Sequence, residues 1–250
     1  MRRLNLTFDD NGDLTYFAGQ PELLDGFVPQ DEDVLRMLDK YRPKIDELNT
    51  TPVGKCKVIL DGDSARCRHE ECNFGNLITD AFVFYKASVS VEKWTEAPIG
   101  LYNGGGIRNT IEPVNGDVTK GELLGAIPFG SQILTLKLNG SNLIKTLEIG
   151  ARSNGETSSG EFLQVSGLRV VYDMSKPPMS RVVSVKARCG ICNIPNYEDI
   201  DPNKNYTIVT TSFLSVDSGD GHYILTEQSF DRMTEDLNDV DTVAWYIEKI

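Results

Sequence analysis

The chain has 250 residues, of which 40% are hydrophobic, enough to bury the core of one large domain. Its formal net charge of −12 argues against nucleic-acid binding, which needs Lys and Arg to neutralise phosphates, but permits a small anionic ligand held by one or two arginines. No apolar run of 18 residues predicts a membrane span, and MRRLNLTFDD lacks the apolar segment of a signal peptide.

The first 50 residues predict a β-hairpin followed by a helix. RLNLTFDDNGDLTYFA alternates apolar and polar residues around an Asn-Gly turn. Asp9, Asn11 and Asp13 have calcium-loop spacing, but Leu14 stands where that loop needs glycine, so we interpret the stretch as a turn. PQDEDVLRMLDKYRPKIDEL has helical periodicity, and we expect Pro43 to kink or break this linker helix.

From about residue 52 onward, strands and helices interleave irregularly. VGKCKVILDGD, PIGLYN, QILTLKLNG, LRVVYDM, RVVSVKARC and NYTIVTTSFL read as strands. NFGNLITDAFVFYKAS, TKGELLGAIPF, SNLIKTLEIGAR and DVDTVAWYIEKI read as helices, the third with Ser141 as its cap. The order predicts an α+β fold with mixed β-sheets and packed helices.

The cysteines form two close pairs, CRHEEC and CGIC, with Cys56 left over. One interpretation is a four-cysteine zinc site, and the other is two short disulfides. Four Asn-X-Ser/Thr sequons favour an extracellular protein and therefore disulfides. The candidate glycosylation sites are Asn5, Asn49, Asn139 and Asn205.

The stretch YNGGGIRNTI follows a buried strand and carries three consecutive glycines. It is neither a Walker A motif nor GxGxxG. Glycines permit positive φ and close approach of main-chain amides to a ligand, and Arg108 offers a bidentate charged contact. A tight turn with a surface arginine explains the local sequence equally well.

Two phenylalanines precede polar, turn-prone stretches. Phe129 in AIPFGSQ and Phe213 in TTSFLSVDSGDGHY can sandwich a flat heterocycle, although core packing is the commoner fate of phenylalanine. Asp220 can accept hydrogen bonds from a sugar diol, or it can simply close a turn.

A hydrolytic centre is not visible in this sequence. The two histidines, His69 and His222, lie in no metal-binding cluster, and no nucleophile elbow is near either. We therefore predict no catalytic residue and no metal ligand in this chain.

The ordered motifs CRHEECNFGNLITDA, YNGGGIRNTIE, IPFG, GEFLQVSGLRVVYD, CGICNIPNY and GDG resemble the C-terminal domain of the secreted 5′-nucleotidase and apyrase family. The likeness implies that residues 52–250 form that domain. Residues 1–29 resemble the closing hairpin of the family's N-terminal domain, and 30–51 resemble its interdomain helix.

In this family the N-terminal domain is a metallophosphatase with two divalent metals, usually zinc, and the C-terminal domain binds the nucleoside. The resemblance therefore implies a ligand such as adenosine or AMP. It also pairs Cys67 with Cys72, and Cys189 with Cys192. The residues that it assigns to substrate binding are Arg68, Asn103, Gly105, Arg108, Phe129, Phe213 and Asp220.

Two departures from the family pattern shape the functional hypotheses. The last loop, FLSVDSGDGH, is one residue longer than the family's and ends in His222. The metallophosphatase domain is not in this chain. We expect a secreted nucleoside-binding domain that is not catalytic by itself, such as a salivary derivative from a blood-feeding arthropod acting by binding a host component. The alternatives are the substrate-recognition half of an active 5′-nucleotidase or apyrase, and an interaction module with a degenerate nucleoside site and a host protein partner.

Overall fold

The structure is a computed structural model that describes residues 1–153, 159–192 and 194–250. The chain divides into two compact units, Met1–Asp46 and Glu47–Ile250. Within the described ranges, no helix is long and apolar enough to cross a membrane.

The first unit begins with the predicted hairpin. β1 (Asn5–Phe8) pairs antiparallel with β2 (Leu14–Ala18). The carboxylate of Asp9 accepts hydrogen bonds of 2.9 Å from the main-chain amides of Asn11 and Asp13. Asp9 therefore closes the turn in the manner of short polar side chains.

The predicted break in the linker helix is confirmed. α1 (Glu32–Asp39) is capped by Asp31, whose carboxylate accepts from two amides of the first turn. α2 (Arg42–Thr50) contains the boundary between the two units, and Pro43 lies in its first turn. Proline is tolerated there because the first amides of a helix have no partner within the helix.

The second unit contains mixed strands and helices, so the predicted α+β class is confirmed. In chain order its strands are β3 (Pro52–Lys55), β4 (Ile99–Asn103), β5 (Asp117–Thr119), β6 (Gln132–Asn139), β7 (Leu163–Ser166), β8 (Leu168–Tyr172), β9 (Val182–Arg188), β10 (Tyr197–Asp199), β11 (Asn205–Thr211) and β12 (Phe230–Asn238). Its helices after α2 are α3 (Ser64–Cys67), α4 (Asn73–Ser88), α5 (Lys120–Ala126), α6 (Gly140–Gly150), α7 (Ser212–Ser215), α8 (Tyr223–Glu227) and α9 (Asp239–Lys249).

A five-stranded sheet with the order β12-β6-β11-β4-β7 organises the second unit. β4 and β11 run parallel, and the other neighbours run antiparallel. A three-stranded sheet, β10-β9-β8, and the pair β3-β5 complete the β structure described for this unit.

Both faces of the five-stranded sheet are buried. Along β4, Ile99 and Leu101 join one hydrophobic cluster, whereas Tyr102 joins the other. Successive residues of a strand point to opposite faces, so one strand serves both clusters. α4 packs on β4 and β7, and α6 packs on β6.

Several local predictions differ from the structure. The strand predicted from NYTIVTTSFL ends at Thr211, and its last residues begin α7. The cap of α6 is Asn139, whose Oδ1 accepts from the amide of Asn142 at 2.8 Å, and not Ser141. The strand predicted from VGKCKVILDGD ends at Lys55, and beyond it the side chain of Asn73 bonds the main chain of the 59–61 stretch. β12 was not predicted, because its sequence FDRMTEDLN is largely polar and exposed.

Candidate functional site

The sheet topology brings four loops to one edge. Because β4 and β11 are parallel neighbours, their carboxyl ends meet at that edge, as in ligand-binding α/β sheets. β6 and β7 run antiparallel to these strands, so the segments that precede them reach the same place. The pairs Asn103↔Leu163 and Ile133↔Thr211 mark this edge.

A cavity of about 630 Å³ lies at this edge. All seven residues predicted to bind substrate line it: Arg68, Asn103, Gly105, Arg108, Phe129, Phe213 and Asp220. Pockets for small organic ligands generally have volumes of about 300–1,000 Å³. The structure therefore brings residues that are up to 152 positions apart in the sequence, from Arg68 to Asp220, to one site of suitable size.

The glycines after β4 are required by close packing. None of Gly104, Gly105 and Gly106 is among the residues with positive φ, which corrects the conformational explanation offered from the sequence. A Cβ on Gly104 would lie 2.0 Å from the carbonyl oxygen of Cys67, and one on Gly106 would lie 2.6 Å from the ring of Tyr102. Any larger residue would push these loops apart.

Two main-chain amides of the glycine loop bond within the protein. The amide of Gly104 donates to the carbonyl of Phe162 at 2.7 Å, and that of Gly105 donates to Gly160 at 2.9 Å. These two amides are therefore not offered to a ligand, contrary to the expectation from the sequence. The guanidinium of Arg108 provides charge instead: it donates to the carbonyl of Gly105 at 3.3 Å and remains exposed.

Asp220 lies opposite the glycine loop. Its Oδ2 accepts a hydrogen bond of 2.7 Å from Nδ2 of Asn103. Asp220 and Ser218 have left-handed backbones, with φ of 52° and 53°, and Gly221 follows with φ of 80°. This turn directs the carboxylate of Asp220 into the cavity.

Two aromatic rings contribute apolar surface to the cavity. Phe129 is 61% exposed, and its ring centroid lies 6.0 Å from the guanidinium carbon of Arg108. Phe213 is half-buried in α7, and its ring leaves no room for a side chain at Gly219. Such exposure of Phe129 is unusual for a core residue and is consistent with a ring that contacts a ligand.

Arg68 reaches the cavity from the loop closed by the Cys67–Cys72 disulfide. Gln164 of β7 anchors this loop: its Nε2 donates to the carbonyls of Cys67 and Glu70 at 2.8 Å, and its Oε1 accepts from the amide of Cys72. The disulfide loop is therefore fixed to the sheet beside the glycine loop.

Comparison with known proteins decides the family. A sequence profile described as the 5′-nucleotidase C-terminal domain matches residues 52–227. The chain belongs to this family. Protein 5NUC of Lutzomyia longipalpis is 38% identical over 98% of this chain, and human 5′-nucleotidase is 36% identical over 99% of it. The chain spans 44% and 43% of their lengths.

Solved structures agree with this fold. The crystal structure of a 5′-nucleotidase precursor from Thermus thermophilus superposes with a TM-score of 0.76 and 32% sequence identity. The likeness covers 99% of this chain and 46% of that one. The α+β architecture is therefore that of a 5′-nucleotidase C-terminal domain.

Several residues that line the cavity of this 5′-nucleotidase C-terminal domain were not predicted. They include Tyr102, Ser131, Arg152, Gly160 and Glu161. Gly160 and Glu161 belong to the motif GEFLQVSG, which signals the family but gives no residue roles by itself. Arg152 stands in no motif, and the end of α6 carries it to the site, where it pairs with Glu161.

The two histidines of the domain lie apart. His222 is fully buried, and its Nε2 lies 2.9 Å from the carbonyl oxygen of Glu161. Burial lowers the pKa of His222 from its ordinary value. His69 lines a separate groove with Glu70 and Glu71. In the part of the chain that the structure describes, no three His, Cys, Asp or Glu side chains are grouped to hold a metal ion.

The remaining cysteines follow the pairing implied by the family. Cys189 and Cys192 form a second disulfide, at a groove distinct from the cavity. Cys56 is free and half-buried, and its thiol lies 3.2 Å from the carbonyl oxygen of Val58.

The four sequons differ in exposure. Asn5, Asn49 and Asn205 are exposed, whereas Asn139 is half-buried and caps α6. Asn139 and Asn205 are directly paired across β6 and β11. Glycosylation at these positions remains a prediction.

Proposed function

We propose that this chain is an extracellular nucleoside- and nucleotide-binding module of the 5′-nucleotidase type that is not catalytic by itself. The observation that carries the proposal is the convergence of the seven predicted residues on one cavity of about 630 Å³. Each part of a nucleoside finds a matching chemical group there.

The sugar side of the cavity is formed by Asn103 and Asp220. An ionised carboxylate offers several acceptor sites, so Asp220 can accept hydrogen bonds from both hydroxyls of a vicinal diol while it keeps its bond to Asn103. The hydrogen bond of 2.7 Å holds the carboxylate in place before the ligand arrives.

The base side is formed by Phe129 and Phe213. Both rings line the cavity at the same edge of the sheet, Phe129 from the turn after α5 and Phe213 from α7. Stacking of a base on an aromatic side chain contributes roughly 1–3 kcal/mol. A flat heterocycle therefore fits the apolar part of the cavity.

Two guanidinium groups at the cavity offer contacts for a phosphorylated ligand. Arg68 and Arg108 both line the cavity, together with the carboxylates of Asp217 and Asp220. A guanidinium suits recognition of a phosphate by charge-assisted, bidentate hydrogen bonds.

The extracellular and non-catalytic parts of the proposal rest on other observations. Disulfides persist in oxidising compartments, and a relative 36% identical is a snake venom 5′-nucleotidase from Macrovipera lebetinus. His222, one of the two histidines, is buried and bonded to a main-chain carbonyl, and His69 lies in another groove. Neither is placed to act on a ligand in the cavity.

Isothermal titration calorimetry with adenosine, AMP and 2′,3′-dideoxyadenosine tests the proposal. We expect adenosine and AMP to bind, AMP more tightly, and the dideoxy analogue to bind more weakly because it lacks the diol. Phe129→Ala is expected to weaken adenosine binding, whereas Phe230→Ala, a matched change on β12 outside the cavity, leaves it unchanged. Absence of heat at millimolar ligand, together with an unchanged melting temperature, contradicts the proposal, because a bound ligand stabilises the folded state.

A second candidate is the substrate-recognition part of an active nucleotidase. It is favoured by the relatives named 5′-nucleotidase, of which this chain spans less than half. The two divalent metals would then be held by a separate domain. Metal-dependent hydrolysis of AMP by this 250-residue chain alone contradicts both candidates.

A further inference from the structure

We propose that Arg152 and Glu161 are positioning residues that hold Asp220 at the ligand cavity. The inference rests on the nucleoside-binding function proposed above. Neither residue was predicted from the sequence, and they connect the Asp220 turn to the glycine loop.

The Asp220 turn needs external support. Ser218 and Asp220 both have left-handed backbones, which non-glycine residues keep only when the surrounding structure holds them. Within the turn, the amides of Gly221 and His222 donate to the carbonyls of Ser218 and Gly219, at 3.0 and 3.1 Å. These local bonds close the turn but do not fix it to the sheet.

Arg152 fixes the turn from one side. Its Nη2 donates to the main-chain carbonyl of Asp220 at 3.1 Å, and its Nε pairs with Oε1 of Glu161 at 3.3 Å. The side chain of Glu161 is only 3% exposed, whereas that of Arg152 is 44% exposed. The guanidinium thus extends from a buried anchor to the cavity surface.

Glu161 is itself held in a charged state. Burial alone would raise the pKa of Glu161, but hydrogen bonds from Ser153 and Ser159 and the charge of Arg152 outweigh it and leave this pKa below its ordinary value. The Ser153 hydroxyl donates to Oε1 at 2.6 Å. A buried anionic anchor is therefore present at neutral pH.

Glu161 also fixes the turn from the other side. Its main-chain carbonyl lies 2.9 Å from Nε2 of His222, the residue that ends the turn. Because a carbonyl oxygen can only accept, Nε2 carries the proton. The turn is therefore attached to Glu161 at two points, at Asp220 through Arg152 and at His222 through the main-chain carbonyl of Glu161.

The same segment holds the glycine loop. The two neighbours of Glu161 accept hydrogen bonds from this loop: the carbonyl of Gly160 accepts from the main-chain amide of Gly105, and that of Phe162 accepts from Gly104. Gly160 is packed so tightly that a Cβ there would lie 2.6 Å from Oδ2 of Asp220. Residues 160–162 therefore set the spacing between the two walls of the cavity.

The primary test is Arg152→Lys, which keeps the positive charge but loses the planar fork that reaches two acceptors at once. We expect adenosine affinity, measured by calorimetry, to fall about tenfold, as for the loss of one hydrogen bond to a charged group. The control is Glu235→Gln, which disturbs the buried Lys86–Glu235 pair outside the cavity. It is expected to lower the melting temperature without changing adenosine affinity.

A second readout does not depend on the ligand. The chain has only two histidines, so the NMR titration of His222 is readily distinguished from that of His69. We expect the pKa of His222 to rise toward its ordinary value in Arg152→Lys, because a loosened turn admits water. Glu161→Gln is also expected to raise the pKa of His222, because it too loosens the turn. Removing the nearby negative charge of Glu161 would by itself lower this pKa.

The outcomes separate the two proposals. Unchanged adenosine affinity and an unchanged His222 titration in Arg152→Lys overturn the positioning role. Reduced affinity with an unchanged titration also overturns it, since Arg152 then contacts the ligand directly. If the wild-type chain does not bind adenosine but the titration shifts, the nucleoside function fails, while the attachment of the Asp220 turn through Arg152 stands.

Discussion

The amide of Asn103 and the carboxylate of Asp220 are 117 residues apart in the sequence and 2.7 Å apart in the structure. Asn103 is the last residue of β4, and Asp220 follows β11, its parallel neighbour. The bond joins the two loops that these strands carry to the sheet edge. The presence of this hydrogen bond therefore shows that the two loops are in the positions that form the cavity.

Replacing Asn103 is expected to weaken ligand binding in a graded way. Asn103→Ala removes one hydrogen bond to a charged group, worth about 1.5–3 kcal/mol, and should lower adenosine affinity roughly tenfold or more. Asn103→Asp should be worse, because it places a second carboxylate against Asp220. Calorimetry checks both, with Asn109→Ala as control, since Asn109 bonds the carbonyl of Gly125 and lies outside the cavity. Equal affinities for Asn103→Ala and Asn103→Asp contradict the expected repulsion.

Most of the long elements could be predicted from the sequence because their signals are local. NFGNLITDAFVFYKAS forms α4 (Asn73–Ser88) over its whole length, and TKGELLGAIPF contains α5 (Lys120–Ala126). β12 could not be predicted, because its polar residues carry no strand periodicity. It is held by pairing with β6, a contact that depends on the whole sheet.

The residues of the candidate site also differ in whether the sequence alone could identify them. Asn103, Arg108 and Asp220 stand in motifs, so a resemblance to a family singles them out. Arg152 does not: it follows α6, whereas its partner Glu161 is placed by the pairing of β7 with β4. Helix packing and strand order are long-range properties, and a local pattern does not contain them.

His222 should make the domain less stable in acid. Burial lowers its pKa in the folded state, whereas the unfolded chain binds a proton near the ordinary value of about 6.5. As the pH falls toward and below that value, the unfolded state therefore binds more protons than the folded state does. The free energy of unfolding then decreases by the contribution of His222. Melting temperatures between pH 5 and 8 should decrease less toward acid in His222→Gln than in the wild type.

The second histidine supplies the control for that experiment. His69→Gln makes the same substitution at the other histidine, which is partly exposed in a surface groove. If His69→Gln reduces the fall of the melting temperature in acid and His222→Gln does not, the destabilisation comes from His69 and the prediction for His222 is wrong.

Asp239 should have the opposite effect on the pH dependence of stability and make the domain less stable as the pH rises. It is fully buried at the start of α9, and burial raises its pKa to about 6. Its folded pKa lies above the unfolded value, so its contribution to stability is complete below pH 4 and is lost as the pH rises through about 6. A difference of about two units between the folded and unfolded pKa of Asp239 changes the free energy of unfolding by at most about 3 kcal/mol.

Asp239→Asn isolates this contribution. The variant keeps a polar partner for the hydroxyl of Tyr102, which donates to Asp239 at 3.2 Å. We expect its melting temperature, relative to that of the wild type, to rise between pH 4 and 7. Asp241→Asn, in the same helical turn but half-exposed and paired with Lys120, serves as control. Parallel curves for Asp239→Asn and the wild type contradict the raised pKa.

The two disulfides should differ in their effect on the cavity. Each closes a short loop, for which chain entropy predicts about 2 kcal/mol of stability. Cys67 and Cys72 are buried beside Arg68 and the glycine loop, whereas Cys189–Cys192 borders another groove. The double serine variant of the first pair should lower both the melting temperature and adenosine affinity, and that of the second only the melting temperature. Calorimetry and thermal melts on both variants check this, and equal losses of affinity would show that the first disulfide has no special part in shaping the cavity.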